Sequence, residues 1–366
     1  MARTILVRLN LDIKEKPIGA ALRFNAAVDE LRKISKPNNK VVILSHRGRP
    51  QGVEKKLSLR PFAPLLSKAL RKKVVFLDNA DLNKARKAIE AAPNGSVFLL
   101  ENLRFLKGET ENDPKLGRAL ASLGTEFISD DFATSHRADS SLSAITAFLP
   151  SQPGNLLREE VKNLSMAMGD TKKPFVLVVG GAKAKDKVGV ISNLLKKADL
   201  VLVGGAAANT FLKADGVDVR DSLYEPEMVE TAKKLMRSGK IETPEDFLWD
   251  GSKILDIGPK TAKTYAAYLR GARLIVWNGP MGMFERKKFS AGTAAVARAV
   301  LRNGRAKSVI GGGETVAALG LRKQVQNPKT NIFVSTGGGA MLEFLAGERM
   351  AGLEAVFKDE KKKRKK

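Results

Sequence analysis

The sequence predicts an α/β protein made of two doubly wound, parallel-sheet (Rossmann-like) domains. Three observations carry this. Short apolar runs recur along the chain, separated by stretches of helical period, as in a sheet covered on both faces. The runs of the second half lead into glycine, whereas those of the first end in His, Arg, Asn or Asp. A Pro/Gly break, FLPSQPGN, separates the two sets.

In chain order the first-half runs are ILVRL, VVILS, VVFL, VFLL and FISDDF, each read as a strand. The break is followed by LLREEVKNLSMAMGD, read as a connecting helix. The second-half strands are FVLVVGG, LVLVGG, KILDIG, LIVWNG, SVIGGG and IFVSTGGG. The predicted organisation is a first domain over 1–153, a connector over 154–170, a second domain over 171–345 and a terminal segment over 346–366. Glycine at a strand's carboxyl end lets main chain approach a ligand, and the next helix offers free N–H groups to phosphate. A nucleotide is therefore expected on the second domain, and a small anion held by side chains on the first.

Composition narrows the chemistry. The 366 residues contain no cysteine, which excludes disulfides and thiol nucleophiles, and only two histidines, so any metal is expected to have oxygen ligands. No signal peptide and no apolar run of membrane-spanning length is read, giving a cytoplasmic expectation. The formal charge is +25, and the run Lys361 to Lys366 is entirely basic. That run is read as a solvated, disordered tail, and the excess charge as a source of weak, salt-sensitive contact with nucleic acid. The chain has no G-x-G-x-x-G fingerprint, no G-x-x-x-x-G-K-[ST] loop and no protein-kinase motif set.

The motifs SHRGRP, LLENLRF, SHRA, GGAKAKDKVGVI, LDIGPKT, VWNGPMGMFE, GGGET and STGGGAMLEFLAG occur in that order between Val7 and Gly352. Together they resemble the successive motifs of the phosphoglycerate kinase family. The resemblance implies reversible transfer of the acyl-phosphate of 1,3-bisphosphoglycerate to ADP, giving 3-phosphoglycerate and ATP, with Mg2+. It also implies a monomer whose two domains face each other across a cleft, the chain's end returning to the first.

Carried over by matching motif, the resemblance assigns Arg23, His46, Arg49, Arg104 and Arg137 to the acid, with Asn10 and Asp12 beside them. Guanidinium groups suit carboxylate and phosphate because their paired donors match paired oxygens. Both histidines lie in Ser-His-Arg, so the resemblance places His46 in the anion patch and His136 next to it. Arg23 would also stabilise the phosphoryl group in transfer, as would Lys183, Gly312 and Gly313. Lys183 and Lys187, four apart, would share one helix face. Lys187, Asn278, Gly279, Pro280, Glu285, Gly312, Gly313, Glu314 and Thr315 complete the implied nucleotide site, with Glu314 holding the metal. No general base is required, because the acid's carboxylate is already a nucleophile.

The chain departs from the family pattern at several points. Where the family usually reads Val-Arg-Val-Asp-Phe-Asn-Val, this chain has VRLNLDI, so Asn10 and Asp12 have exchanged types. Read as strand, the exchange keeps one face but shifts its carboxylate by about 6.6 Å. Glu314 replaces the metal-holding aspartate, one methylene longer, which predicts slowed activity or altered metal preference. Ala133 replaces a glycine, Asp139 a second histidine, and Ile254 a glycine near the adenine pocket. The segment IETPEDFLWD is short for the family, so an edge strand is expected to be missing. These departures and the basic tail motivate an alternative: a catalytically weak relative that binds nucleotide or nucleic acid through its basic surface.

Overall fold

The computed structural model describes residues 3–13, 21–78, 80–169, 172–182, 185–319 and 331–363. The chain divides into two compact units, one of Met1–Glu160 with Arg349–Lys366 and one of Val161–Glu348.

The first unit contains β1 (Arg3–Arg8), α1 (Leu22–Ile34), β2 (Asn39–Leu44), α2 (Phe62–Leu70), β3 (Val74–Leu77), α3 (Leu82–Ala91), β4 (Val97–Leu100), α4 (Pro114–Ala121), β5 (Glu126–Ser129) and β6 (Ser151–Pro153). Helix α5 (Asn155–Met168) follows, and the division between units falls within it. The second unit continues with β7 (Phe175–Val179), α6 (Lys185–Leu194), β8 (Leu200–Val203), α7 (Gly205–Ala214), α8 (Val229–Met236), β9 (Ile241–Glu242), β10 (Phe247–Asp250), β11 (Lys253–Ile257), α9 (Pro259–Gly271), β12 (Leu274–Asn278), α10 (Ala291–Arg302), β13 (Lys307–Gly311), α11 (Gly313–Ala318), β14 (Ile332–Val334) and α12 (Gly339–Ala346). Last comes α13 (Ala351–Lys363), which belongs to the first unit.

Each unit holds a six-stranded sheet, ordered β3-β4-β2-β1-β5-β6 in the first and β14-β13-β12-β7-β8-β9 in the second. All strand pairs in both sheets are parallel. Parallel strands buried on both faces need unbroken apolar sequence, and β2, β4 and β7 are buried along their whole length. In the first unit the two faces carry separate cores, one around Val7, Ile43 and Phe24 and the other around Leu6, Val42 and Phe98. The alternation of Leu6 and Val7 between them is the two-residue period of a strand. Strand order reverses on either side of β1 and of β7, so each sheet has a switch point where a crevice opens at the strands' carboxyl ends.

Local signals set several boundaries. Asp81 caps α3 by accepting from the N–H groups of Asn83 and Lys84, and Asp113 caps α4 ahead of Pro114 at the first helical position.

Two expectations need correction. KILDIG is a strand, β11, but it pairs antiparallel with β10 in a separate two-stranded ribbon rather than joining the parallel sheet. Only Gly251 and Ser252 separate the two strands, with Gly251 at φ +58, and a two-residue turn can only return the chain antiparallel. The basic tail is not disordered from its start, because α13 extends to Lys363. Lys and Glu are good helix formers, and lysines favour a helix's carboxyl end. Residues 364–366 lie outside the described residues.

A buried carboxyl group lies at the start of α5. Asp130 Oδ1 accepts from Leu157 N at 2.8 Å, and burial, reinforced by the Glu30 carboxylate, pushes its pKa up to about 8 from 3.8. Between these values the folded protein keeps a proton that the unfolded chain releases, so Asp130 makes stability fall as pH rises through that window. Urea unfolding at about pH 5 and about pH 8 should show a decline that Asp130→Asn flattens. A variant with the same or steeper decline contradicts this.

Candidate active site

The first unit gathers its charged side chains at the carboxyl ends of β1, β2 and β5. At the centre is Arg8, the last residue of β1, which is fully buried. Its Nη1 donates to Asp131 Oδ2 at 2.9 Å and to the Leu9 carbonyl at 2.6 Å, and its Nε donates to Ser141 Oγ at 3.1 Å. Its Nη2 lies 2.9 Å from His46 Nδ1. Guanidinium has only donors, so His46 Nδ1 must accept and the neutral ring carries its proton on Nε2. Removing one partner of the buried Arg8–Asp131 ion pair costs about 3–5 kcal/mol.

His46 is buried, and burial, together with Arg8, Arg104, Arg137 and Arg23, holds its pKa well below the usual imidazole value. Arg104 donates from Nη1 to the Gly48 carbonyl at 2.5 Å, while its buried Nε and Nη2 find no hydrogen-bond acceptor among the described residues. Asp139, where the family has histidine, lies 3.7 Å from Arg104 Nη2, an ion pair without a hydrogen bond. Arg104's pKa is lowered, first by burial and then by Arg137. Arg137 donates from Nε to His136 Nε2 at 3.1 Å, and Arg23 donates from Nη1 to the Asp12 carbonyl at 3.2 Å. Arg49 is exposed on the loop after β2.

The strand reading of Asn10 and Asp12 does not hold. Strand β1 ends at Arg8, and the two residues lie in the loop beyond it. Asn10 donates to Asp131 Oδ1 at 2.9 Å, and its own Oδ1 accepts from Asp12 N at 3.1 Å. Asp12 Oδ1 accepts from Gly48 N at 3.0 Å. The exchange of types therefore serves loop-holding contacts, and the shift of a carboxylate along one face does not apply.

The second unit uses main chain instead. Glycines at the ends of β7, β8 and β12 are laced together: Gly181 N donates to the Pro280 carbonyl and Gly205 N to that of Met281, each at 2.8 Å. Gly279 has φ +94, and a Cβ there would stand 2.0 Å from the Gly180 carbonyl oxygen, so no other residue fits. Thr315, at the start of α11, is buried, and its hydroxyl accepts from Gly279 N at 2.8 Å. It acts on the glycine turn. Asn278 is buried, with Oδ1 accepting from Lys187 Nζ at 2.5 Å and Nδ2 finding no acceptor among the described residues. Lys183, and with it the helix face expected to be shared with Lys187, lies outside the described residues.

Beside these turns is a cavity of about 330 Å³ walled by Gly181, Gly205, Pro280, Glu285 and Glu314. Gly312 and Gly313 open α11 next to Glu314. On the cavity's apolar side Ile254 stands where the sequence led us to expect it and Met283 belongs to VWNGPMGMFE, whereas Leu212 and Phe247 went unread because they come from separate segments with no motif. Asp256 also lines it; its Oδ2 accepts from Gly292 N at the start of α10, and burial raises its pKa to about 6. Among the described residues no three His, Asp or Glu side chains group to hold a metal. A single carboxylate such as that of Glu314 suits an ion such as magnesium that takes its other ligands from a nucleotide and water. No helix among the described residues is long and apolar enough to cross a membrane.

A guanidinium patch on one parallel sheet and a cavity walled by glycine turns on another fit the class of α/β phosphotransferases. The model of the family described as Phosphoglycerate kinase matches residues 1–348. A phosphoglycerate kinase of Thermosipho africanus is 39% identical, covering 97% of this chain and 94% of that protein. One of Moorella thermoacetica is 38% identical over 97% and 96%. Among solved structures, a phosphoglycerate kinase from Coxiella burnetii superposes with TM-score 0.83 at 36% identity, covering 98% of this chain and 96% of its own. That from Pyrococcus horikoshii gives 0.85 at 32%, with 99% and 97% covered. This chain belongs to the phosphoglycerate kinase family, phosphotransferases with a carboxyl group as acceptor.

Because Arg8 fixes the tautomer and burial, with the neighbouring cations, keeps His46 neutral, its ring nitrogens should show the Nε2–H form throughout the range where an ordinary imidazole titrates. With two histidines in the chain, a 15N spectrum of wild type and His136→Gln assigns the signals. Protonation of His46 near the ordinary imidazole value contradicts the geometry.

Proposed function

We propose that the two sites divide the family's reaction between them. In the reversible transfer of an acyl-phosphate from 1,3-bisphosphoglycerate to ADP, the first unit holds the acid and the second the nucleotide. The observation that carries this is Arg104: a buried guanidinium with two nitrogens, Nε and Nη2, lacking hydrogen-bond acceptors among the described residues, beside neutral His46. Buried donors left unmade cost about 1–3 kcal/mol, and an arriving carboxylate or phosphate satisfies them. His46 donates from Nε2, while Arg23, Arg49 and Arg137 supply further charge to the acid. Asn10 and Asp12 shape the floor beneath it.

On the nucleotide side, Lys187 and Asn278 serve the phosphates, Gly279 and Pro280 let them approach, and Glu285 takes a ribose hydroxyl. Gly312 and Gly313 offer amides to the phosphoryl oxygens, with Lys183 as a second cation. Phosphoryl transfer asks the protein chiefly for positioning and positive charge, which these residues provide. Magnesium, held through Glu314 and the nucleotide, would neutralise phosphate charge. The binding partners are then small molecules, with nucleic acid only a weak electrostatic contact, in a cytoplasmic monomer. The weak-relative alternative has in its favour Glu314 and the high net charge, and a coupled assay with ADP, magnesium and 1,3-bisphosphoglycerate separates the two by turnover.

Arg23→Ala should lower the rate at saturating substrate, by roughly a hundredfold if the guanidinium stabilises the moving group; an unchanged maximal rate removes that role. Glu314→Asp should raise turnover with magnesium or shift preference away from larger ions. A variant slower than the parent with every metal tried contradicts the assignment.

A further inference from the structure

Outside these sites a groove of about 580 Å³ runs along the paired helices α9 and α10. Its apolar wall includes Ala262, Ala266, Ala295 and Ala299, which leave room for another molecule's side chains. Four cations line it, Lys263, Arg270, Arg298 and Arg302, all exposed. No carboxylate lines it, and among the described residues none of the four cations makes an ion pair. Neither helix contains a single Asp or Glu, although the chain has 39.

Helix physics accounts for part of this. Arg270 and Arg302 occupy last turns, where the dipole favours positive charge. Lys263 and Arg298 have no such support, and Arg298 and Arg302, four apart on one helix, repel each other. An apolar trough with unopposed cations fits an apolar stripe flanked by carboxylates.

We propose that the α9–α10 groove docks an acidic amphipathic helix of a partner protein. A 13-residue helix such as α9 is about 20 Å long, so a partner of three to four turns spans it. A second copy of this chain is a poor occupant, since two molecules of charge +25 repel. Single-stranded nucleic acid binds by stacking bases on aromatic rings, and no aromatic residue lines the groove.

The test uses a labelled synthetic helix of about 15 residues, with leucine on one face and glutamate on its flanks, followed by fluorescence anisotropy with the full chain. Charge reversal in the groove, R298E/R302E, should weaken binding about tenfold or more. The same charge change placed on α3, K84E/K87E, should leave affinity within about twofold. Ala295→Trp, which fills the trough without altering charge, should also weaken it, and kinase turnover should be unchanged in all three, showing that they fold. Equal loss in both double variants means general electrostatic adhesion and overturns the proposal. So does undiminished binding of a control peptide with its leucines replaced by serine. An RNA oligomer that depends on Arg298 and Arg302 while the peptide does not would reassign the face to nucleic acid. Self-association abolished by R298E/R302E, with peptide binding intact, would reassign it to a second copy.

Discussion

The first unit depends on one buried cation. Arg8 lies at the end of β1 with no exposed surface, and its donors reach Asp131, Ser141, the Leu9 carbonyl and His46. A guanidinium removed from water is tolerable only when its hydrogens are answered by well-placed acceptors, and here those acceptors come from three separate segments. Burying Arg8 thereby fixes the loops after β1, β2 and β5 relative to one another. It also makes His46 an acceptor at Nδ1 and a donor at Nε2, which turns an ambiguous imidazole into an oriented donor.

The second unit meets a similar demand without a buried charge. Its glycine turns bond to one another through main chain, and Gly279 passes so close to Gly180 that a side chain is excluded. Main-chain amides bring partial positive charge up to a phosphate without the desolvation cost of a lysine in the wall. On the proposed division of ligands the two units use different means: directional side-chain forks for a small acid with carboxylate and phosphate, and a surface of bare backbone for a polyphosphate chain.

The departures from the family pattern fall into two kinds. Asn10 and Asp12 are absorbed by local bonding to Asp131 and Gly48, so their exchange changes how a loop is held. Glu314 stands at the cavity with no comparable contact among the described residues, and on the proposed reading its extra methylene bears on metal geometry. Asp139 belongs between them, close enough to Arg104 to compete for its charge yet too far to take its hydrogens.

The sequence by itself determined the parallel sheets, since a strand covered on both faces must be apolar throughout, and it marked the glycine turns and the arginine motifs. Tertiary structure alone decided the rest. Arg8 read as one more strand residue, because burial and partners drawn from Asp131 and Ser141, more than 120 positions away, leave no local trace. KILDIG carried the composition of a sheet strand, but its two-residue link to β10 turned it into a ribbon. The apolar cavity wall and the α9–α10 groove arise only where distant segments pack. Periodicity records the burial of each element, and the pairing of elements is set by contacts that no single stretch of chain contains.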